Sequence, residues 1–260
     1  MSALQTTLRV NDVNVRVHRA GNGDPVLFLH GAAGVSAWLP FFDAVSKDAA
    51  LIVPEHPGFD GSDDPEWIVN VPDLATFYLD FLEQQNLTNV NVIGTSLGGW
   101  IAAEMLIRDR TRVKSVTLLA PAGIRVLGMP CGDNFIWGPE EGVRNLFHDQ
   151  SFADRLLANP LTEEQLDVRL KNLRTVSKLG WQPRWYNPDL EKWLHRIKVP
   201  ALVVWGDADK VFPSAYSAAW MKRLPDARLR IIPDCGHLPH IEKSELVYSI
   251  ISEFRSGLGR

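Results

Sequence analysis

Val90-Asn91-Val92-Ile93-Gly94-Thr95-Ser96-Leu97-Gly98-Gly99-Trp100-Ile101 is the stretch from which the rest of the chain can be understood. It opens as a short apolar, β-branched run, the pattern of a strand buried on both faces. It continues into 100–108, where Ile101, Met105 and Arg108 recur at helical spacing. A strand that turns into a helix this quickly passes through a cramped backbone conformation. Glycines two before and two after Ser96 remove the Cβ atoms that would collide there. Such a turn lifts the Ser96 hydroxyl clear of the sheet and sets the Leu97 N–H at a helix N-terminus, where partial positive charge favours an anion. The Gly-x-Ser-x-Gly spacing alone recurs by chance, so its partners elsewhere must decide its meaning.

Working outward, Leu8–Val10 and Val13–Arg19 flank Asn11-Asp12 and read as an antiparallel hairpin. Pro25–Leu29 is an apolar strand that ends in His30-Gly31-Ala32-Ala33-Gly34, whose small residues let a backbone N–H approach a ligand closely. Helices are expected over 38–47 and 72–86, and a strand over 51–54 closed by a loop rich in turn residues. After the central stretch, 113–120 reads as another buried strand. The alternation then breaks, and 123–198 shows only short helical segments, one opened by the capping-box pattern Thr162-Glu163-Glu164-Gln165. It resumes with strand 201–205, helix 213–224, strand 228–232 and helix 244–254. The expected architecture is α/β: a mostly parallel, eight-stranded, doubly wound sheet with a helical lid inserted after the sixth strand. Residues 1–121 and 199–260 would form the core domain and 122–198 the lid.

A serine hydroxyl needs a base, and the base needs an orienting group. Two loops that follow expected strands offer both. Gly206-Asp207-Ala208-Asp209 carries two aspartates, and Gly236-His237-Leu238-Pro239-His240 carries two histidines. The order Ser…Asp…His, each just past a strand's carboxyl end, brings distant residues to one sheet edge. Asp207 competes with Asp209, and His240 with His237. His30 is read as holding its own loop by hydrogen bonds, Glu242 as capping the last helix, and Cys131 and Cys235 as small packing residues.

The chain resembles the α/β-hydrolase superfamily over nearly its whole length. The likeness rests on His30-Gly31-Ala32, Pro57-Gly58-x-x-Gly61-Ser62, Gly94-x-Ser96-x-Gly98-Gly99, Trp205-Gly206-x-x-Asp209-x-x-x-Pro213 and Gly236-His237-x-x-His240-x-Glu242. It implies Ser96 as nucleophile, His237 as general base and acid, Asp209 as the orienting carboxylate, and an oxyanion hole from the N–H groups of Ala32 and Leu97. The sequence departs from a common family pattern at Glu55-His56, where an aspartate usually precedes the Pro-Gly turn. Relatives that use aspartate at the elbow, haloalkane dehalogenases and epoxide hydrolases, do not match a serine. The resemblance therefore implies a carboxylesterase-type hydrolase of a small to medium apolar substrate. A C–C hydrolase like those acting on ring-fission products is the alternative, favoured by Pro121-Ala122-Gly123-Ile124, Arg169 and Arg174, with Leu238 where many of that group carry tryptophan. A hydrolase-like receptor with little turnover is a reading of another class. Gly31 and Leu238 are expected beside the substrate, and of the insertion's Trp137, Trp181, Trp185 and Trp193, Trp137 and Trp185 are candidate pocket residues.

Composition bounds the partners. A hydrophobic fraction of 45% and a net charge of −4 are ordinary for a soluble protein and offer no basic excess for nucleic acid. No apolar run is long enough to cross a bilayer, and the N-terminal segment lacks the pattern of a signal peptide. Two cysteines fit a reducing compartment, so a cytoplasmic monomer or homodimer is expected. Neither they nor His56 and His148 have company at ligand spacing; no metal or other cofactor is expected, and the partner is a small-molecule substrate.

Overall fold

The computed structural model describes residues 3–35 and 37–259. Met1 and Ser2, part of the segment read for a leader, lie outside them. Strands β1 (Leu4–Val10) and β2 (Val13–Ala20) form the expected hairpin, with Asn11 at a positive φ of 54° in the turn. Asparagine tolerates that conformation better than most residues. Strand β3 (Asp24–Leu29), helix α1 (Pro40–Val45), strand β4 (Ala49–Pro54) and helix α2 (Val71–Gln84) follow. Helix α2 starts on a capping box between Asn70 and Asp73, with Pro72 in its first turn. Strand β5 (Val90–Thr95) leads into helix α3 (Leu97–Arg108), and strand β6 (Val113–Leu119) comes next. Helix α3 starts three residues before the apolar spacing suggests, because Gly98 and Gly99 form a buried first turn that carries no periodic signal.

The sheet has eight strands in the order β1-β2-β4-β3-β5-β6-β7-β8, where β7 is Ala201–Gly206 and β8 is Ala227–Ile232. Only β2 runs against the other strands, pairing antiparallel with both β1 and β4, and every other pairing is parallel. Strands β5 and β7 are buried at every position, as strands covered on both faces must be. One apolar cluster joins the sheet to α2, α3 and α8 (Tyr216–Arg223) through residues such as Phe77, Ile101 and Trp220. The other joins its opposite face to α1 and α10 (Ser244–Ser256) through Phe41, Phe42, Val247 and Phe254. Helices on both faces make the sheet doubly wound, as the strand–helix alternation predicts.

Between β6 and β7 the chain carries α4 (Pro139–Arg144), α5 (Gln150–Leu157), α6 (Glu163–Gly180) and α7 (Leu190–Trp193), with one bridge pairing Gly123 and Tyr186. Thr162 and Gln165 form the expected capping box at the start of α6. Val176, Leu179, Trp185, Leu190 and Leu194 of this segment join the larger sheet cluster. The insertion thus packs onto the α3 side of the sheet through shared apolar contacts.

Candidate active site

Register explains how the site assembles. Leu29 of β3 pairs with Gly94 of β5, so the loop after residue 29 runs beside the turn after residue 94. Gly206 of β7 pairs with Ile232 of β8, which sets the Asp209 loop against the His237 loop. All four strand ends lie on one edge of the parallel sheet.

At the elbow, Ser96 has φ 51° and ψ −112°, a conformation L-residues rarely hold and one that costs about 1–3 kcal/mol. The surroundings impose it. Ser96 N donates to Leu119 O (2.9 Å), while Ser96 O accepts from Trp100 N (3.1 Å) and Ala122 N (3.0 Å). A Cβ on Gly94 would lie 2.4 Å from Gly98 O, and one on Gly98 2.0 Å from Leu29 O. The second approach also brings the first turn of α3 against the start of the His30–Gly34 loop.

Asp209 is almost fully buried, and its carboxylate is fully occupied. Oδ1 accepts from Val211 N (2.8 Å) and Phe212 N (3.0 Å), and Oδ2 accepts from His237 Nδ1 (2.8 Å). With the proton on Nδ1, Nε2 of His237 is left as the basic nitrogen. Asp207 is exposed instead and accepts from Cys235 N (3.4 Å). His240 is buried against Phe28 and Phe41, with ring centroids 5.5 and 5.8 Å away. Burial, reinforced by nearby His237, pushes its pKa down to about 3, so it is a neutral imidazole with no carboxylate partner.

Ser96, His237, Gly31, Ala32 and Leu238 line one cavity of about 150 Å³. Its remaining wall is largely apolar, with Phe28, Val35, Leu39, Phe42, Leu146 and Ile241, and His240 and Asn134 add polar groups that sequence reasoning did not single out for the pocket. Leu97 is the first residue of α3 and fully buried, and helix N-terminal amides lack intrahelical partners. Trp137 and Trp185 are not among the residues lining this cavity. Trp185 stacks on Phe135 at 5.3 Å and hydrogen-bonds by its backbone to Gly180 and Gly123, while Trp137 packs over Gly132. An aromatic side chain in the insertion had a packing use nearer to hand.

Two further expectations need correction. Glu242 does not cap α10, whose first turn has no side-chain cap. Its carboxylate accepts from Gly236 N (2.7 Å), Asp149 N (2.6 Å) and His148 N (3.3 Å), tying the histidine loop to the insertion. Cys235 is buried, and burial pushes its thiol up to about 12, whereas Cys131 is exposed and not a packing residue. Glu55, at the position departing from the family pattern, is buried and held by Arg16 Nε (2.7 Å), His18 Nε2 (2.8 Å) and Gly61 N (2.8 Å). His30 does hold its loop: its Nε2 accepts from His56 N (2.9 Å) and its Nδ1 donates to Gly31 O (2.7 Å). Among the described residues, no cluster of His, Cys, Asp or Glu could hold a metal ion, and no helix is long and apolar enough to cross a membrane.

Comparison with known proteins agrees with the fold. A family model described as the alpha/beta hydrolase fold matches residues 24–244. The poly(3-hydroxyalkanoate) depolymerase of Ectopseudomonas oleovorans is 30% identical over 242 residues, which is 88% of this chain and 83% of that protein. The 2-hydroxy-6-oxo-6-phenylhexa-2,4-dienoate hydrolase of Burkholderia cepacia is 26% identical over 278 residues, 93% of this chain and 91% of that protein. A meta-cleavage product hydrolase from Pseudomonas fluorescens superposes with a TM-score of 0.83 at 20% identity, covering 97% of each chain.

Proposed function

The chain belongs to the α/β-hydrolase fold family and is a hydrolase, and from that premise we propose that it cleaves a carboxylic ester of a small to medium, uncharged, apolar molecule through an acyl-enzyme. Ser96 Oγ attacks the carbonyl while His237 Nε2 takes its proton. The tetrahedral oxyanion is held by the N–H groups of Ala32 and Leu97. His237 then protonates the leaving alcohol, and water attacks the acyl-enzyme by the same route. Each oxyanion donor is worth about 3 kcal/mol of barrier. Asp209 keeps the imidazole in the required tautomer. Gly31 and Leu238 contact the substrate, and residues 122–198 serve as the lid.

The observation that favours an ester is the cavity wall. Among its described residues there is no lysine or arginine, and burial holds His30 and His240 neutral. Burying a carboxylate without a cationic partner is costly. A dienoate, the substrate class named for the Burkholderia cepacia relative, carries such a carboxylate. Arg169 and Arg174, which a C–C hydrolase could use for it, are exposed on α6. The second reading, hydrolysis of a C–C bond beside a carbonyl, is favoured by the relatives' own activities and shares the same nucleophile.

A panel of p-nitrophenyl esters beside a vinylogous diketone carboxylate separates these readings. The expected result is ester turnover far above diketone cleavage. Ser96→Ala should lower it by at least about 10⁴-fold with the melting temperature preserved. Diketone cleavage exceeding ester turnover in kcat/KM would reverse the assignment, and tight binding with negligible turnover would indicate a receptor.

A further inference from the structure

The loop that carries Ala32 has little with which to hold itself. Gly31, Ala32, Ala33 and Gly34 offer no side chain beyond a methyl group, and inside the loop a single backbone turn bond runs from Gly34 N to Gly31 O at 3.2 Å. An oxyanion donor must nevertheless sit within a few tenths of an ångström of its place. The loop is fixed from outside, by two buried side chains far apart in the sequence. Asp60, after β4, accepts from Val35 N through Oδ2 (2.6 Å). Asn172, on α6 of the insertion, donates through Nδ2 to Ala33 O (3.2 Å). The two also bond each other reciprocally: Asp60 N donates to Asn172 Oδ1 (2.8 Å), and Asn172 Nδ2 donates to Asp60 Oδ1 (2.8 Å).

The fit leaves no slack. A Cβ on Gly34, which has φ +81°, would lie 2.5 Å from both Asp60 carboxylate oxygens and 2.6 Å from Asn172 Nδ2. Asp60 itself has φ 45°, held in part by Lys171 Nζ donating to its carbonyl (2.9 Å). Thr175 Oγ1 donates to Gly58 O (2.6 Å), and Lys178 pairs with Asp64 at 2.6 Å, so α6 grips this whole turn.

We propose that Asp60 and Asn172 are positioning residues that hold the Ala32 N–H in its oxyanion-binding place, making helix α6 of the insertion a working part of transition-state stabilisation. This rests on the assignment of Ala32 to the oxyanion hole. The bonds flank Ala32 on its carboxyl side, at the next carbonyl and at the third amide after it. Loss of either side chain frees the loop without touching Ser96, Asp209 or His237. The effect therefore falls on the charged tetrahedral state more than on ground-state binding.

The test compares wild type with Asp60→Asn, a change that keeps side-chain volume and tolerates positive φ but puts a donor where Asn172 Nδ2 or Val35 N needs an acceptor. Two quantities are read: steady-state hydrolysis of a p-nitrophenyl ester, and inhibition by a trifluoromethyl ketone that forms a tetrahedral adduct on serine. The expected result is a fall of about 10- to 100-fold in kcat, KM within about threefold, and ketone affinity weakened in parallel with kcat. Asn172→Ala should act in the same direction, and it carries the test if Asp60→Asn does not fold. Folded single variants with kcat and ketone affinity within twofold of wild type would overturn the proposal, as would a rise in KM alone. A wild type that neither hydrolyses esters nor binds the ketone would instead overturn the ester-hydrolase reading.

Discussion

At the scale of single residues, the site depends on one carboxylate being satisfied from two directions. Backbone amides of Val211 and Phe212 hold Asp209 Oδ1, and only Oδ2 remains for His237. Asp209→Asn would keep the shape, but an amide oriented to accept from those two amides presents its NH₂ to His237 Nδ1. The imidazole would then carry its proton on Nε2, the wrong nitrogen for a base. A drop of about 10⁴-fold in kcat with unchanged stability is expected, read by ester hydrolysis and thermal melting. The tight turn at Ser96 was legible in the sequence because strain leaves a mark: Gly94 and Gly98 stand where a Cβ would strike backbone. The preference for Asp209 over Asp207 came from the family resemblance alone, since both follow the same strand end; the fold shows that Asp209 is the buried one. Trp137 and Trp185 show the converse, because large aromatic side chains advertise burial without saying against what.

At the scale of elements, the histidine loop is held by a side chain whose purpose no spacing announces. Glu242, on α9 (Pro239–Glu242), gathers the amides of Gly236, His148 and Asp149, so three segments meet at one buried carboxylate. His237 N also donates to Leu146 O (2.8 Å), adding a second tie to the insertion. Glu242→Ala would leave the buried Gly236 amide and the part-buried amides of His148 and Asp149 without their acceptor. A loss of about 2–4 kcal/mol in urea unfolding is expected, with Glu242→Gln losing less because it retains an acceptor oxygen. A loss below 1 kcal/mol would show that water replaces the carboxylate at no great cost. Strands and major helices were readable from periodicity, since burial on one or both faces sets the pattern. Contacts between a side chain and backbone amides from other segments leave no periodic trace, so the roles of Glu242, Asp60 and Asn172 emerge only from the fold.

At the scale of the whole molecule, three imidazoles are enclosed with no counter-charge in hydrogen-bond contact. His30 and His56 stack with ring centroids 3.6 Å apart, joining the ends of β3 and β4, and His240 lines the same cavity as His30. Burial pulls the pKa of each below its ordinary value; for His56 the neighbouring His30 adds to this, while for His30 the Asp60 charge works against it. The hydrogen bonding of His30 demands a neutral ring too, because its Nε2 accepts from His56 N (2.9 Å). His56 Nε2 donates to His30 O (3.0 Å), which leaves Nδ1 to accept from the Tyr78 hydroxyl (2.5 Å). In the unfolded chain these groups protonate near pH 6.5, but in the folded state only at lower pH. Between the two values the unfolded state binds more protons, so stability falls as pH is lowered and is fully present above about pH 6.5. Each group can contribute up to about 1.4 kcal/mol per pH unit in that window. Urea unfolding from pH 7.5 to pH 5 should therefore show a steep acid loss. His240→Phe, which keeps ring packing against Phe28 and Phe41 but cannot titrate, should reduce the slope by about 1 kcal/mol per pH unit. An unchanged slope in that variant would mean that His240 takes up its proton in the folded protein, and that water reaches the cavity wall from which the proposed preference for uncharged substrates is argued.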